Sequence, residues 1–388
     1  MHIFLSANDK FQALSIINRK IDFTNNNHVY AKYKDGDQSF KRYLNAESKD
    51  EAIEQLMNKE QSKKIQGDWC FQFTGQGCQR PNMLLSIYNN IPLFKQHLDE
   101  CFKIYEQIFA ASLSDIIFSD KDDINQTNWT QPALFAVEYA MAKTWIDLGL
   151  NPSHVIGHSV GEYPAAVIAG IMSLEAGIHM IGKRGQAMQS IKTKGAMAAM
   201  MCDLETTKDL IKNNNVAIDI AGINSNKQTV ISGDIDAIAK LTALAKENGI
   251  RSRELVVSHA FHSSHMEPIL SEFREVAKEH IFQAPSKCQI ISNVTGDKYD
   301  SAPTPDYWAK HIRSAVDYVG GINNIVNKCH VTNFIEVGPH PILNTMATKT
   351  VDIECNWLAS ANMKDELNCF LNTAGLLFES GIIEVDKL

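Results

Sequence analysis

The chain has 388 residues, 44% hydrophobic and 21% charged, with a formal net charge of -8. That is enough apolar material for a substantial core in two or three domains, and the acidic balance argues against nucleic acid as the main partner. No stretch reaches the length of a membrane span, the N-terminus MHIFLSANDK lacks the charged-then-apolar pattern of a signal peptide, and neither C-x-x-C nor H-E-x-x-H spacing is present, so no metal is expected. The eight scattered cysteines fit reduced thiols in a cytoplasmic protein.

In chain order, Ile3-Phe4-Leu5 reads as a strand, and Ser6 or Asn8 as the cap of a helix running to about Ile17. The stretch from Asn25 to Asp37 is polar, and Glu47 to Met57 reads as helix. Residues 69–74, WCFQFT, form an apolar strand that ends in Gly75-Gln76-Gly77. Pro132 to Leu148 has helical spacing, with Pro132 placed in a first turn. His154-Val155-Ile156 is a short strand running into Gly157-His158-Ser159-Val160-Gly161, followed by helix from Glu162 to Ala169 and on through about Met188. Then come a strand (Ala196 to Met201), a helix (Leu204 to Asn213) and two strands (Ala217 to Ile223, Gln228 to Ser232). A helix (Ile235 to Asn248) and a strand (Arg253 to Val257) complete a βαββαβ order, that of a ferredoxin-like unit. Gln289 to Ser292 and Asn333 to Val337 are further strands.

The G-x-S-x-G pentapeptide, set between strand and helix, is the context in which a serine becomes a nucleophile. Small neighbours permit a sharp turn, and the helix N-terminus points N–H groups where negative charge develops. A serine needs a base, and the best source is His259-Ala260-Phe261-His262-Ser263-Ser264-His265, at the return from the ferredoxin-like unit. Asp203, Asp234 and Asp236 are explained by turns and helix caps, so a base oriented by a backbone carbonyl is the simpler expectation. The Val160 N–H is one oxyanion donor, and the glycine turn at Gln76 can supply a second. Arg184, a surface charge by default, would hold a carboxylate in its planar fork if turned into the cleft.

These pieces, in this order, resemble the acyltransferase domains of modular polyketide synthases and the malonyl-CoA:acyl carrier protein transacylases. The matching motifs are FTGQGCQ (73–79), GHSVGEY (157–163), KRGQAM (183–188), SHAFHSSHMEP (258–268), SNVTG (292–296), WAKHI (308–312) and FIEVGPHPIL (334–343). The resemblance implies an α/β fold: an α/β-hydrolase-like large subdomain (68–194 and 260–358) with an inserted ferredoxin-like small subdomain (195–259). It also implies an N-terminal α/β segment (1–67) like a ketosynthase–acyltransferase linker, and a post-acyltransferase segment (359–388). By position, Ser159 matches the acylated nucleophile, His262 the base, Gln76 and Val160 the oxyanion donors, and Arg184 the carboxylate-binding arginine. His158 and Asn224 match residues lining the acyl pocket. His311 matches the position whose main-chain carbonyl orients the catalytic histidine.

In such synthases the tetrad HAFH (259–262) goes with malonyl extenders, and Phe261 is bulky enough to fill the space of an α-methyl group. Two residues depart from the pattern: Pro164, expected to kink the nucleophile helix slightly, and Cys78, small enough for its turn. The implied reaction is ping-pong transfer from malonyl-CoA to the phosphopantetheine thiol of an acyl carrier protein, in polyketide or fatty acid biosynthesis and with no bound cofactor. Ketosynthase domains or other synthase modules are possible further partners, and the chain is expected to be an excised domain or a free-standing enzyme. The rival readings are an acyl hydrolase acting on carrier proteins, which Arg184 disfavours, and a non-catalytic docking module.

Overall fold

A computed structural model describes residues 1–23, 28–32, 38–58, 64–257 and 259–388. In chain order its strands are β1 His2–Ala7, β2 His28–Lys32, β3 Phe40–Asn45, β4 Trp69–Phe73, β5 His154–Gly157, β6 Ala196–Met200, β7 Ile218–Ser225, β8 Gln228–Gly233, β9 Ser252–Glu254, β10 Gln289–Ile291, β11 Val316–Asp317, β12 Asn333–Val337 and β13 Asn356–Ala359. They form three sheets, ordered β2-β1-β3, β10-β5-β4-β12-β13 and β11-β7-β8-β6-β9.

The second sheet is parallel throughout. Its central strands are mainly apolar and wholly buried because helices cover both faces: all five residues of β4 and of β12 are buried, Gln72, Asn333 and Glu336 included. In a parallel sheet every strand delivers its following loop to the same edge, where ligands bind. β4 and β5 are neighbours in register Phe73↔Gly157, and the His158 N–H donates to the Phe73 carbonyl (2.9 Å). The glycine turn after β4 and the serine turn after β5 therefore emerge side by side. Helices Thr127–Asp147 and Leu174–Ser190 lie against each other beneath them.

The third sheet is the ferredoxin-like unit, its strands β7-β8-β6-β9 all antiparallel. The helix caps the sequence suggests form at Asp203, whose side chain accepts from the Thr206 N–H. Asp234 stands at the N-cap of its helix, its carbonyl accepting from the Ile238 N–H (2.9 Å), but its carboxylate makes no cap bond and meets His265 Nε2 at 2.9 Å. The last strand stops at Glu254, short of the expected Val257; the Leu255 N–H still donates to the Met197 carbonyl (2.9 Å), and Leu255 and Val257 line a cavity. β11 adds to the outer edge, parallel to β7 in register Val316↔Gly222.

Three other expectations are corrected. The first helix, Lys10–Lys20, is capped by Asp9, because Ser6 lies within β1. The helix holding Pro132 begins five residues earlier, at Thr127, which places proline inside it. The polar stretch between Asn25 and Asp37 contains β2; Asn25 and Asp37 themselves, and Ser258, lie outside the described residues. Among the described residues, no helix is long and apolar enough to cross a membrane.

Candidate active site

Ser159 has φ +51, a left-handed conformation that non-glycine residues seldom adopt. Such backbone strain costs about 1–3 kcal/mol and persists only where the surroundings impose it. The surroundings here are close. A Cβ on Gly157 would collide with the Glu162 nitrogen and the Gly161 carbonyl, and one on Gly161 would collide with the Phe73 and Thr74 carbonyls. Only glycine at both positions lets the turn fold back onto β4. Pro164 is the third residue of the helix Glu162–Ile168 and leaves this presentation intact.

Two buried residues complete the support, and sequence reasoning did not single out either one. The Ser159 N–H donates to Asn293 Oδ1 (2.6 Å), Asn293 Nδ2 donates to the Gly157 carbonyl (2.7 Å), and the Asn293 N–H donates to Glu162 Oε2 (2.7 Å). Tyr299 and Tyr307 donate their hydroxyls to Glu162 Oε1. Burial pushes the Glu162 carboxyl up, but the nearby His311 and these hydrogen bonds outweigh it and hold it below the usual carboxylate range. The motifs SNVTG and GHSVGEY contained both residues; their partnership joins segments 131 positions apart, which no local pattern displays.

Ser159 Oγ lies 2.7 Å from His262 Nε2. His262 Nδ1 lies 2.8 Å from the carbonyl of Ser314. A carbonyl only accepts, so Nδ1 carries the proton and Nε2 is free to take one from the serine. The orienting carbonyl is thus that of Ser314 and not that of His311. Arg313 ends its helix, and Ser314 turns to φ -79, ψ 153, which swings its carbonyl toward the imidazole. The His311 ring instead stands edge-on to His262 with centroids 6.3 Å apart, its Nε2 3.5 Å from the Glu162 carboxylate. Burial, and then the charge of Arg184, drives the His262 imidazolium well below its ordinary pKa, so the ring is a free base at neutral pH. The other two histidines of the cluster do not reach the serine: His259 Nε2 meets the Ile191 carbonyl (2.9 Å), and His265 meets Asp234.

Arg184, on helix Leu174–Ser190, is 1% exposed. Its Nη1 donates to Gln131 Oε1 (2.6 Å) and its Nη2 to Ser159 Oγ (3.1 Å), while Nε has no partner. The guanidinium stands over the Tyr163 ring at 5.5 Å. Among the described residues no carboxylate comes within ion-pairing distance of it. A buried cation without a counter-ion is costly, and this one is aimed at the serine.

A cavity of about 240 Å³ opens here between the parallel sheet's edge and the third sheet. Ser159, His262, Arg184, His158, Asn224, Phe261, Gln76 and Val160 all line it. His158 Nε2 donates to Asn224 Oδ1 (2.8 Å), and Gln76 Oε1 accepts from Thr127 Oγ1 (3.2 Å). Phe261, 8% exposed, leans on His259. Cys78 is buried under the glycine turn, its Sγ 3.5 Å from the Gly75 carbonyl. One part of the lining is polar; another, with Met197, Val230 and Leu255, is apolar, and Gln228 and Arg253 of the same sheet also line the cavity. Such a site can form an ester on Ser159 and pair a negative charge on the bound acyl group.

A serine–histidine pair at the edge of a parallel sheet, closed by a ferredoxin-like unit, defines an acyl-transferring α/β protein. Residues 70–378 match the model of the acyl transferase domain family, and the chain belongs to that family. It is 34% identical over 285 residues to a polyketide synthase, GfsB, of Streptomyces halstedii, covering 73% of this chain and 5% of that one. It is 35% identical over 289 residues to the spectinabilin polyketide synthase system protein NorB of Streptomyces orinoci, covering 73% and 13%. The chain thus spans a small fraction of these relatives' length. Among solved structures, the acyltransferase domain from the second module of the salinomycin polyketide synthase superposes with a TM-score of 0.81 at 33% identity, covering 88% of this chain and 83% of that one. The malonyl-CoA-acyl carrier protein transacylase of Clostridium perfringens gives 0.74 at 25% identity, covering 81% and 99%.

Proposed function

We propose that this acyltransferase moves a malonyl unit from malonyl-CoA, through a Ser159 ester, to the phosphopantetheine thiol of an acyl carrier protein in polyketide biosynthesis. The observation that carries the reading is the buried guanidinium of Arg184, without a carboxylate partner and 3.1 Å from Ser159 Oγ. A neutral acyl chain would leave it unpaired; a carboxylate at the far end of a three-carbon acyl group satisfies it. His262 Nε2 takes the serine proton as Oγ attacks the thioester carbon. The Gln76 and Val160 N–H groups hold the oxyanion, and the proton passes to the departing CoA sulfur. In the second half-reaction the carrier thiol gives its proton to His262 and attacks the ester, and Ser159 is regenerated. Phe261, beside the base, supports malonyl over methylmalonyl by occupying the α-substituent's space. His158 and Asn224 form the polar wall opposite, and Ser314 orients the base. We propose the chain division stated under Sequence analysis for the units that carry this site, and a cytoplasmic setting, which the eight free thiols support.

The test is intact-mass measurement after mixing with malonyl-, methylmalonyl- or acetyl-CoA, then with a carrier protein bearing a free phosphopantetheine thiol. A malonyl adduct absent from Ser159→Ala and discharged onto the carrier is expected. Release of free acid without an adduct or carrier loading would show a hydrolase instead.

A further inference from the structure

The base and the carbonyl that orients it sit on two separate segments, and a single side chain of the third sheet grips both. Asp219, near the start of β7, accepts from the Ser264 N–H through Oδ2 (2.7 Å) and from Arg313 Nη2 through Oδ1 (2.9 Å). Ser264 lies two residues beyond His262. Arg313 directly precedes Ser314, whose carbonyl holds His262 Nδ1. Arg313 Nε donates to Glu267 Oε1 (3.2 Å).

The same strand is registered to the same segment by other bonds. β11 pairs with β7 three residues past Arg313. The Asp317 N–H donates to the Asn293 carbonyl (2.7 Å), and Asn293 in turn holds the Ser159 N–H. Farther along β7, Asn224 meets His158. The strand therefore touches the acyl pocket at one end and the dyad's supports at the other.

We propose that Asp219 is a positioning residue: through Ser264 and Arg313 it sets the distance between His262 and the Ser314 carbonyl, and so ties the alignment of the dyad to the seating of the ferredoxin-like unit. The proposal rests on the Ser159–His262 chemistry of the preceding section. Two features make the carboxylate more than a surface ion pair. It accepts a backbone N–H and a guanidinium N–H at once, one through each oxygen. The Ser264 contact is to the backbone itself, two residues from His262, and the Arg313 side chain that carries the other contact is also held by Glu267, so a displacement of Asp219 bears on both segments. Displacement of reacting groups by about 1 Å is enough to cost on the order of a hundredfold in rate.

The experiment measures acylation of Ser159 in single-turnover mode with malonyl-CoA, alongside labelling by a fluorophosphonate, which reports nucleophile reactivity without needing the acyl group's carboxylate. Asp219→Ala is expected to lower the saturating rate and the fluorophosphonate rate together by roughly ten- to a hundredfold, with the concentration for half-saturation changed by less than about twofold. Asp219→Glu, which keeps both acceptor oxygens, is expected to recover most of the rate. Arg313→Ala is expected to cost a similar factor, and the double variant Asp219→Ala/Arg313→Ala no more than the worse single one, since residues acting through one contact are not additive. Wild-type rates in Asp219→Ala, a loss confined to half-saturation, or additive losses in the double variant would each overturn the positioning role. A wild-type protein that reacts with the fluorophosphonate but takes no malonyl group would overturn the proposed substrate and leave this test standing. A wild type that reacts with neither would overturn both.

Discussion

Replacing Arg184 by methionine separates the proposed acyl selectivity from ordinary loss of structure. In the free protein Arg184 is a desolvated cation with no counter-ion among the described residues, an Nε without a partner and two neutral acceptors. Methionine fills similar volume without the charge, so folding stability is expected to stay level or rise, as when buried charges give way to apolar side chains. The malonyl carboxylate would lose its partner. Stranding one member of a buried ion pair costs about 3–5 kcal/mol; at 1.36 kcal/mol per tenfold this is a fall of roughly two to four decades in kcat/KM for malonyl-CoA. Acetyl-CoA brings no carboxylate, so the same change relieves a strained pairing and raises its kcat/KM relative to malonyl-CoA. Arg184→Lys keeps the charge but not the fork and is expected to fall between. Thermal denaturation and acylation kinetics with both thioesters read all three effects. Equal losses with malonyl- and acetyl-CoA, or unchanged malonyl kinetics, would refute the carboxylate clamp.

Two further outcomes follow from the site's electrostatics and support. His262 must be unprotonated to act, and burial and the Arg184 charge hold its pKa well below 6.5. Acylation should therefore stay at its plateau at pH 6.5 and fall only at lower pH, and in Arg184→Met, with one repelling charge gone, the acid limb should move to higher pH. A wild-type limb centred above 6.5 in the kcat/KM profile would contradict this. Asn293→Ala leaves the Gly157 carbonyl and the Ser159 N–H each short of a buried partner, while the backbone N–H of residue 293 still serves Glu162 Oε2. At about 1–3 kcal/mol for each of these two groups, less whatever water recovers, urea denaturation should show a loss of about 1–4 kcal/mol; a change below about 0.5 kcal/mol would show that the serine turn holds without it.

The parts of this molecule legible in sequence are those whose signal is local. β12 ends at Val337, where the sequence reading ended it, and the βαββαβ order could be read because each helix and strand of it carries its own period. The serine turn, the glycine turn and Arg184 are visible as residue types, and the neighbouring places of β4 and β5 in the parallel sheet bring the two turns together. What could not be read depends on distant partners or on backbone atoms. β2 lies in a polar stretch and β11 has two residues; both are strands only because β1 and β7 offer them edges. The carbonyl that faces His262 belongs to whichever residue first leaves the helical conformation, here Ser314, and a carbonyl has no letter in the sequence.

The same geometry bears on why the ester would wait for a thiol. In the proposed reaction Arg184 would pair with the acyl group's carboxylate alike in the incoming thioester, the serine ester and the outgoing thioester, so it would select the acyl group without favouring either half-reaction. Discrimination between water and a thiol must then come from the other wall of the cavity. Met197, Val230 and Leu255 present no donor or acceptor side chain there, and a water posed for attack needs hydrogen-bond partners to hold it. A pantetheine arm delivers its own sulfur to His262 and can lay its methylene and methyl groups on these apolar side chains. In the proposed reaction the polar part of the lining would thus choose what is carried, and the apolar part, contributed largely by the ferredoxin-like unit, would favour the thiol over water as the acceptor.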